Sequence, residues 1–171
     1  RKLAGRLLLL ASAGDPGFLD VRQVSIDALV LEALDKWGYT PRRWRLGEMA
    51  EVTVEGDRDR LGVAMDALVE NAVAHTKPDD LIELSAWMED GHAVLAVVDS
   101  GCGIEEEDLA RIFARFSRAK PYHSRDVGGF GLGLPTVRAI AEAHKGSVQV
   151  RSTVGQGSTF ELRIPATAAQ A

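Results

Sequence analysis

Two hairpin signals set the strongest limit on how this chain folds. Asp90-Gly91 separates strand-like runs at 81–89 and 93–99, and Val154-Gly155-Gln156-Gly157 separates runs at 147–152 and 158–164. Connections this short can join only antiparallel neighbours, because a parallel pair needs a crossover of a dozen residues or more. Two further strands are read at 43–46 and 50–55, the second alternating Val52 and Val54 with Glu51, Thr53 and Glu55. Between these runs the apolar period changes to three and four. Leu61, Ala64, Met65, Leu68, Ala72 and Val73 mark a helix over 59–75, and Ile26, Leu29, Val30, Ala33 and Leu34 mark one over 27–36. A short acidic helix is expected at 104–109, and Pro135 is placed at the first position of a helix that runs to His144 and stops at Gly146. Helices mixed with hairpin-linked strands predict an α+β sandwich, one mixed or antiparallel sheet with helices on one face.

Composition narrows the classes of function. The 171 residues suit about one domain, and a net charge of -5 argues against a broad nucleic-acid footprint. The single cysteine, Cys102, excludes an internal disulfide and any multi-cysteine metal site. The apolar run Leu7 to Ala11 is too short to cross a bilayer, and no signal peptide is visible. The chain starts at Arg1 without a methionine, which reads as a piece of something longer. Residues 2–13 carry a helical stripe of Leu3, Leu7 and Leu10 that ends at Asp15-Pro16-Gly17; it fits either a terminal packing helix or the tail of a longer one. The Ala-rich stretch 166–171 is read as a disordered tail.

Three segments carry candidate chemistry. Asp99-Ser100-Gly101-Cys102-Gly103 follows an apolar strand, so its carboxylate is placed to accept a hydrogen bond from a buried ligand, such as an exocyclic amine; a plain turn is the other reading. Asn71 sits within an apolar helix, where it is either a core amide bonded to backbone or a hard oxygen donor for magnesium. His75 reads as a helix-end residue. Gly128, Gly129, Gly131 and Gly133 run straight into a helix, which serves either a flexible turn or a phosphate cradled by backbone N–H groups and the helix dipole. Arg111, Arg115, Arg118, Lys120 and Arg125 lie just upstream, as solvated cations or as partners for polyphosphate charge.

Taken in order, these segments resemble the boxes of the GHKL ATPase superfamily. Glu70-Asn71-Ala72-Val73-Ala74-His75-Thr76 resembles the N box, and 99–103 resembles the G1 box. Ile112 to Arg118 resembles the F box, 128–134 the G2 box, and 155–165 the final glycine box. An F box at this place resembles the catalytic and ATP-binding domain of bacterial sensor histidine kinases, over residues 20–165. The resemblance implies a Bergerat two-layer sandwich: a mixed sheet with three helices on one face, binding ATP and Mg2+ beneath a lid. It implies that Asn71 ligates magnesium, Asp99 binds the adenine amine, and Gly101 and Gly103 shape the adenine pocket. By the same resemblance Arg118 meets the terminal phosphate, and Gly129, Gly131 and Gly133 hinge the lid and cradle phosphates. His75, Ile104, Phe116, Leu132, Leu134 and Thr159 complete the implied ATP-binding set, with Asn71 and Arg118 as the catalytic pair.

Departures from the pattern bear on activity. Ala67 stands where many sensor kinases have a second Asn and gyrase-type or chaperone-type relatives a water-activating Glu, and Ala74 replaces a common Lys or Arg. Glu70 is either an aid at the metal or a solvated acid. None of His75, His92, His123 and His144 lies in a phosphoacceptor context, so residues 1–14 are expected to be the tail of a separate helical hairpin that carries the accepting histidine. The resemblance then implies transfer of the ATP γ-phosphate to that histidine, a response-regulator receiver domain as downstream partner, and a homodimeric parent. It implies a cytoplasmic location for this domain and an inner or plasma membrane location for the parent. Two alternatives stand beside it: a nucleotide-sensing module without kinase chemistry, and an anti-sigma-type serine kinase.

Overall fold

The computed structural model describes residues 2–117 and 131–166. In chain order its elements are α1 (Lys2–Ser12), β1 (Arg22–Ser25), α2 (Ile26–Trp37), β2 (Arg43–Met49), β3 (Thr53–Gly56), α3 (Arg58–Ala74), β4 (Leu81–Glu89), β5 (His92–Asp99), α4 (Glu106–Leu109), α5 (Gly133–Ala143), β6 (Ser147–Thr153) and β7 (Gly157–Pro165). The main sheet runs β2-β4-β5-β7-β6. Both expected hairpins are present as antiparallel pairs, β4 with β5 and β6 with β7, while β2 joins β4 in parallel and makes the sheet mixed.

The pleat divides the sheet into two unlike faces. One carries Ile82, Leu84 and Ala86 of β4, Ala93, Leu95 and Val97 of β5, and Phe160, Leu162 and Ile164 of β7, all buried. Helices α2, α3 and α5 pack on that face and form the second layer. The opposite face has no helical layer among the described residues and carries an ionic ladder, in which Arg151 and Arg163 bind Glu161 and Arg163 also binds Glu89. Short strands with one polar face are what half-covered antiparallel sheets require. The expected sandwich with three helices on one face is therefore the observed one.

Local chemistry fixes the helix starts. Ser25 caps α2 by accepting from the Ala28 N–H, and Asp57 caps α3 by accepting from the Arg60 N–H at 3.0 Å. Asp57 Oδ2 also accepts from the Asp20 N–H at 2.9 Å, tying the first connection to the α3 start. His144, just past α5, is buried and holds the same corner: its Nε2 accepts from the Asp57 N–H at 2.9 Å. With Nε2 accepting, Nδ1 carries the proton and donates to the Ile140 carbonyl at 2.8 Å.

Several boundaries differ from the sequence reading. Strand β1 was not expected; it pairs antiparallel with β3 in a separate two-stranded sheet and buries one residue, Val24. Helix α5 starts two residues before Pro135, at Gly133, with Leu132 as its N-cap. Proline is tolerated there because N–H groups of the first turn have no intrahelical acceptor. In α1 the buried pair is Leu9 and Leu10, while Leu7 and Leu8 are exposed, so of the stripe of Leu3, Leu7 and Leu10 only Leu10 is fully buried, and Leu9 anchors the helix beside it. The Ala166 N–H still bonds the Gly91 carbonyl at 2.9 Å; the remainder of the expected tail lies outside the described residues.

Candidate functional site

Strand β5 ends at Asp99, whose side chain is only 4% exposed. Its Oδ1 accepts from the Gly101 N–H at 2.8 Å, and the nearby Ser158 N–H also favours the charged form. Burial nevertheless dominates and pushes its pKa up to about 6. A largely desolvated carboxylate at a strand end is a strong acceptor for any donor that reaches it.

The loop after Asp99 is held close to the end of α3. A Cβ on Gly101 would lie 2.1 Å from the His75 carbonyl oxygen, so no side chain fits at this position. The Cys102 N–H donates to the same carbonyl at 3.3 Å. On its other side the loop is fastened to the β6–β7 hairpin: the Gly155 N–H donates to the Cys102 carbonyl, and the Ile104 N–H to Ser152 Oγ, each at 2.8 Å. Gly103 lies against the Thr153 carbonyl in this seam. Asp99, Gly101, Gly103, Ile104 and His75 are thus brought together by the fold. His75 is the C-cap of α3, as expected of a helix-end residue. Burial holds the His75 imidazole below its ordinary pKa. Partial burial also pushes the Cys102 thiol up, keeping it protonated.

Asn71 lies one turn before His75 on α3, and its carbonyl accepts from the His75 N–H at 3.1 Å. Its side chain is half-buried, and among the described residues no protein group bonds its amide. That is unlike a core asparagine tied to backbone. Ala67, one turn earlier, is buried in the core and offers no polar group. Glu70 is not simply solvated: it forms an ion pair with Arg6 of α1, with Lys2 at 3.8 Å on its other oxygen.

At the opposite end of the site, Phe113 meets Phe160 of the core edge to face, with ring centroids 6.5 Å apart. This anchors the segment that leads to Phe116, which is 63% exposed with φ +60. The Phe116 N–H donates to the Gly131 carbonyl at 3.0 Å. Gly131 has φ +68, and a Cβ there would meet Ser117 backbone at 2.8 Å, so a side chain is excluded by conformation and by space. Gly133 begins α5, Leu134 packs partly against the core, and Leu132 is 1% exposed. Arg118, Lys120, Arg125, Gly128 and Gly129 lie outside the described residues.

Strand register separates one candidate, Thr159, from Asp99. Thr159 pairs with Val98, on the face away from the helices, whereas Asp99 pairs with Ser158. Side chains alternate along a strand, so Ser158 and not Thr159 accompanies Asp99. Ser158 is buried, and its Oγ lies 2.8 Å from Ser152 Oγ. The Gly-Ser-Thr stretch contained this residue but not the phase of the pleat.

Over residues 56–168 the sequence matches the family described as histidine kinase-, DNA gyrase B- and HSP90-like ATPases. The chain belongs to this family. Within it, the chain is 35% identical over 151 residues to the sensor-like histidine kinase SenX3 of Mycobacterium tuberculosis (strain ATCC 25618 / H37Rv), a match covering 86% of this chain and 37% of that protein. It is 34% identical over 154 residues to the circadian input-output histidine kinase CikA of Synechococcus elongatus, covering 86% of this chain and 20% of that protein. The chain therefore spans well under half the length of these relatives. Among solved structures, full-length ShkA in complex with AMPPNP superposes with a TM-score of 0.82 at 26% identity, covering 99% of this chain and 36% of that one. The mycobacterial sensor histidine kinase MprB has the same fold, with a TM-score of 0.74 at 24% identity over 85% of this chain and 97% of that one. This family member is a histidine-kinase-type ATP-binding domain of GHKL fold, as the order of the boxes implied.

Proposed function

We propose that this domain binds ATP with magnesium and supplies the γ-phosphoryl group to a histidine on a separate helical domain of its parent chain. The observation that carries the reading is the buried Asp99 carboxylate at the end of β5, an acceptor that suits the exocyclic amine of adenine, on a loop that Gly101 and Gly103 let close against the end of α3 and the β6–β7 hairpin. In this reading Asp99 accepts from the exocyclic amine, Ser158 shares its face of the sheet, and Gly101 and Gly103 shape the adenine pocket by letting the loop pack closely against α3 and the β6–β7 hairpin.

The residues present fit magnesium held mainly by phosphate. Among the described residues no group of three or more His, Cys, Asp or Glu side chains could form an all-protein cage. Magnesium commonly keeps waters and phosphate oxygens and takes only one or two protein ligands. The half-buried Asn71 amide, with no protein partner among the described residues, offers one hard oxygen of that kind. When bound, the ion supplies charge neutralisation at the β- and γ-phosphates. Asn71 orients that end of the nucleotide, Asp99 fixes the other, and the backbone N–H groups at the start of α5 face the phosphates. Arg118 is assigned to the transferred group. An imidazole nitrogen of the acceptor attacks γ-phosphorus, the bond to the β–γ bridging oxygen breaks, and ADP leaves with that electron pair.

Ala67 supports transfer over hydrolysis, since no carboxylate at that position activates water. Residues 1–14 are assigned to the last part of the helical hairpin. The receiver domain of a response regulator is the proposed recipient of the phosphoryl group, the parent a homodimer, and its location the membrane with this domain on the cytoplasmic side. Incubated with γ-labelled ATP, the chain alone is expected to gain no phosphohistidine, and joined to its parent hairpin it is expected to label that histidine. Tethering raises the rate through effective concentration. ATP binding without labelling of the joined hairpin would replace this reading with nucleotide sensing.

A further inference from the structure

The ion pair between Arg6 and Glu70 has no part in the reading above, yet it lies beside Asn71 and the start of α5. Glu70 immediately precedes Asn71 on α3. Arg6 reaches it from α1, and its Nη1 stands 4.0 Å from the position a Cβ on Gly133 would take. The pair therefore sits between the Asn71 turn of α3 and the first residue of α5, the two elements assigned to the magnesium and phosphate end. Neither side chain is fully solvated: Arg6 is 20% exposed and Glu70 34%. Lys2, the other cation near Glu70, is 77% exposed and 3.8 Å away, so it screens Glu70 only weakly. Independently of this pair, α1 is held by burial of Leu9 and Leu10 and by Arg115 donating to the Leu10 carbonyl at 3.5 Å.

We propose that Arg6 is a positioning residue of the nucleotide site, cancelling and orienting the Glu70 carboxylate so that a triphosphate can approach Asn71. An unpaired carboxylate in this partly desolvated place would repel the phosphates, because Coulomb interactions over several ångströms are weakly screened away from bulk water. The helix that carries Arg6 thereby contributes to nucleotide affinity without touching adenine. This inference rests on the proposed ATP reading and is tested apart from it.

Calorimetric titrations with ATP and with adenosine, both with magnesium, are made on the full chain and on Arg6→Gln, Glu70→Gln and the double variant. The expected result is that Arg6→Gln weakens ATP about tenfold, leaves adenosine unchanged, and is reversed by adding Glu70→Gln. Arg6→Lys is expected to keep most of the affinity, since it restores the charge. Equal ATP affinity in Arg6→Gln would overturn the proposal. So would a double variant as weak as Arg6→Gln, because loss of α1 docking or of a direct Arg6–phosphate contact would then be the cause. A wild-type chain that binds adenosine and ATP with no preference for the triphosphate would remove the phosphate-site reading itself, and this proposal with it.

Discussion

Replacing Asp99 with Asn is expected to make the domain more stable and less able to bind ATP, two effects of opposite sign from one atom. The stability term follows from burial. The carboxyl pKa is raised from 3.8 to about 6 in the folded chain, a shift of about 2 units, each worth about 1.4 kcal/mol. Between those values the folded state holds a proton that the unfolded chain has released. Stability contributed by this group is therefore fully present below about pH 4, falls as pH rises through about 6, and is then flat, with a loss of about 3 kcal/mol. Asparagine does not ionise, and its Oδ1 still accepts from the Gly101 N–H, so the variant escapes that loss. Near pH 4 the two proteins should melt together; at pH 7.5 the variant should melt higher, by roughly 2–4 °C for each kcal/mol. The binding term has the reverse sign, because the amide N–H2 either faces the adenine amine as a second donor or displaces the acceptor. Loss of a hydrogen bond to a charged group costs about 1.5–3 kcal/mol, about tenfold to over a hundredfold in Kd. Melting curves across pH and calorimetric titration with ATP read the two terms separately. A gap in melting temperature that does not change with pH would refute the burial argument, and an unchanged Kd would refute the adenine assignment.

The remaining predictions probe other parts of the site. Asn71→Ala should abolish much of the magnesium dependence of ATP affinity with little change in melting temperature; full dependence with lost stability would make Asn71 a packing residue. Gly101→Ala forces a methyl against the His75 carbonyl and should lower both melting temperature and ATP affinity, read by thermal melts and titration. His144→Leu leaves the Asp57 N–H buried without its acceptor and should cost about 1–3 kcal/mol in urea unfolding, with ATP affinity retained in the folded protein. Adenosine binding to the wild-type chain should weaken as pH falls through about 6, where Asp99 gains its proton.

What the sequence disclosed depended on the range of the interaction concerned. The periodicity of α3 and the two hairpin turns are local, and they placed the long helix and four strands of the main sheet close to their observed limits. Strand β1 has a single buried residue, Val24, and exists through its pairing with β3 some thirty residues on, so no local pattern announced it. The exchange of Thr159 for Ser158 has the same origin: both lie in one glycine-flanked run, and only register against β5 decides which shares a face with Asp99. Glycine and acid spacing located the Asp99 loop because its needs are steric and local. The partner of Glu70 was not legible, because Arg6 lies far away along the chain and meets it only once Leu9 and Leu10 have docked α1. Likewise, His144 shows its role only through the Asp57 N–H that it receives across the fold.

The central claim is that separate glycine-containing segments form one nucleotide site on this chain. Backbone amide shift mapping by NMR, titrating AMPPNP with magnesium into the isotope-labelled chain, tests it directly. The account predicts saturable perturbations that converge on Asn71, Gly101, Gly103, Gly131, Gly133 and Ser158, with the far ends of β4 and β5 around Asp90-Gly91 unmoved. Perturbations that are absent at millimolar nucleotide, or that gather elsewhere while the Asp99 loop stays silent, would contradict it.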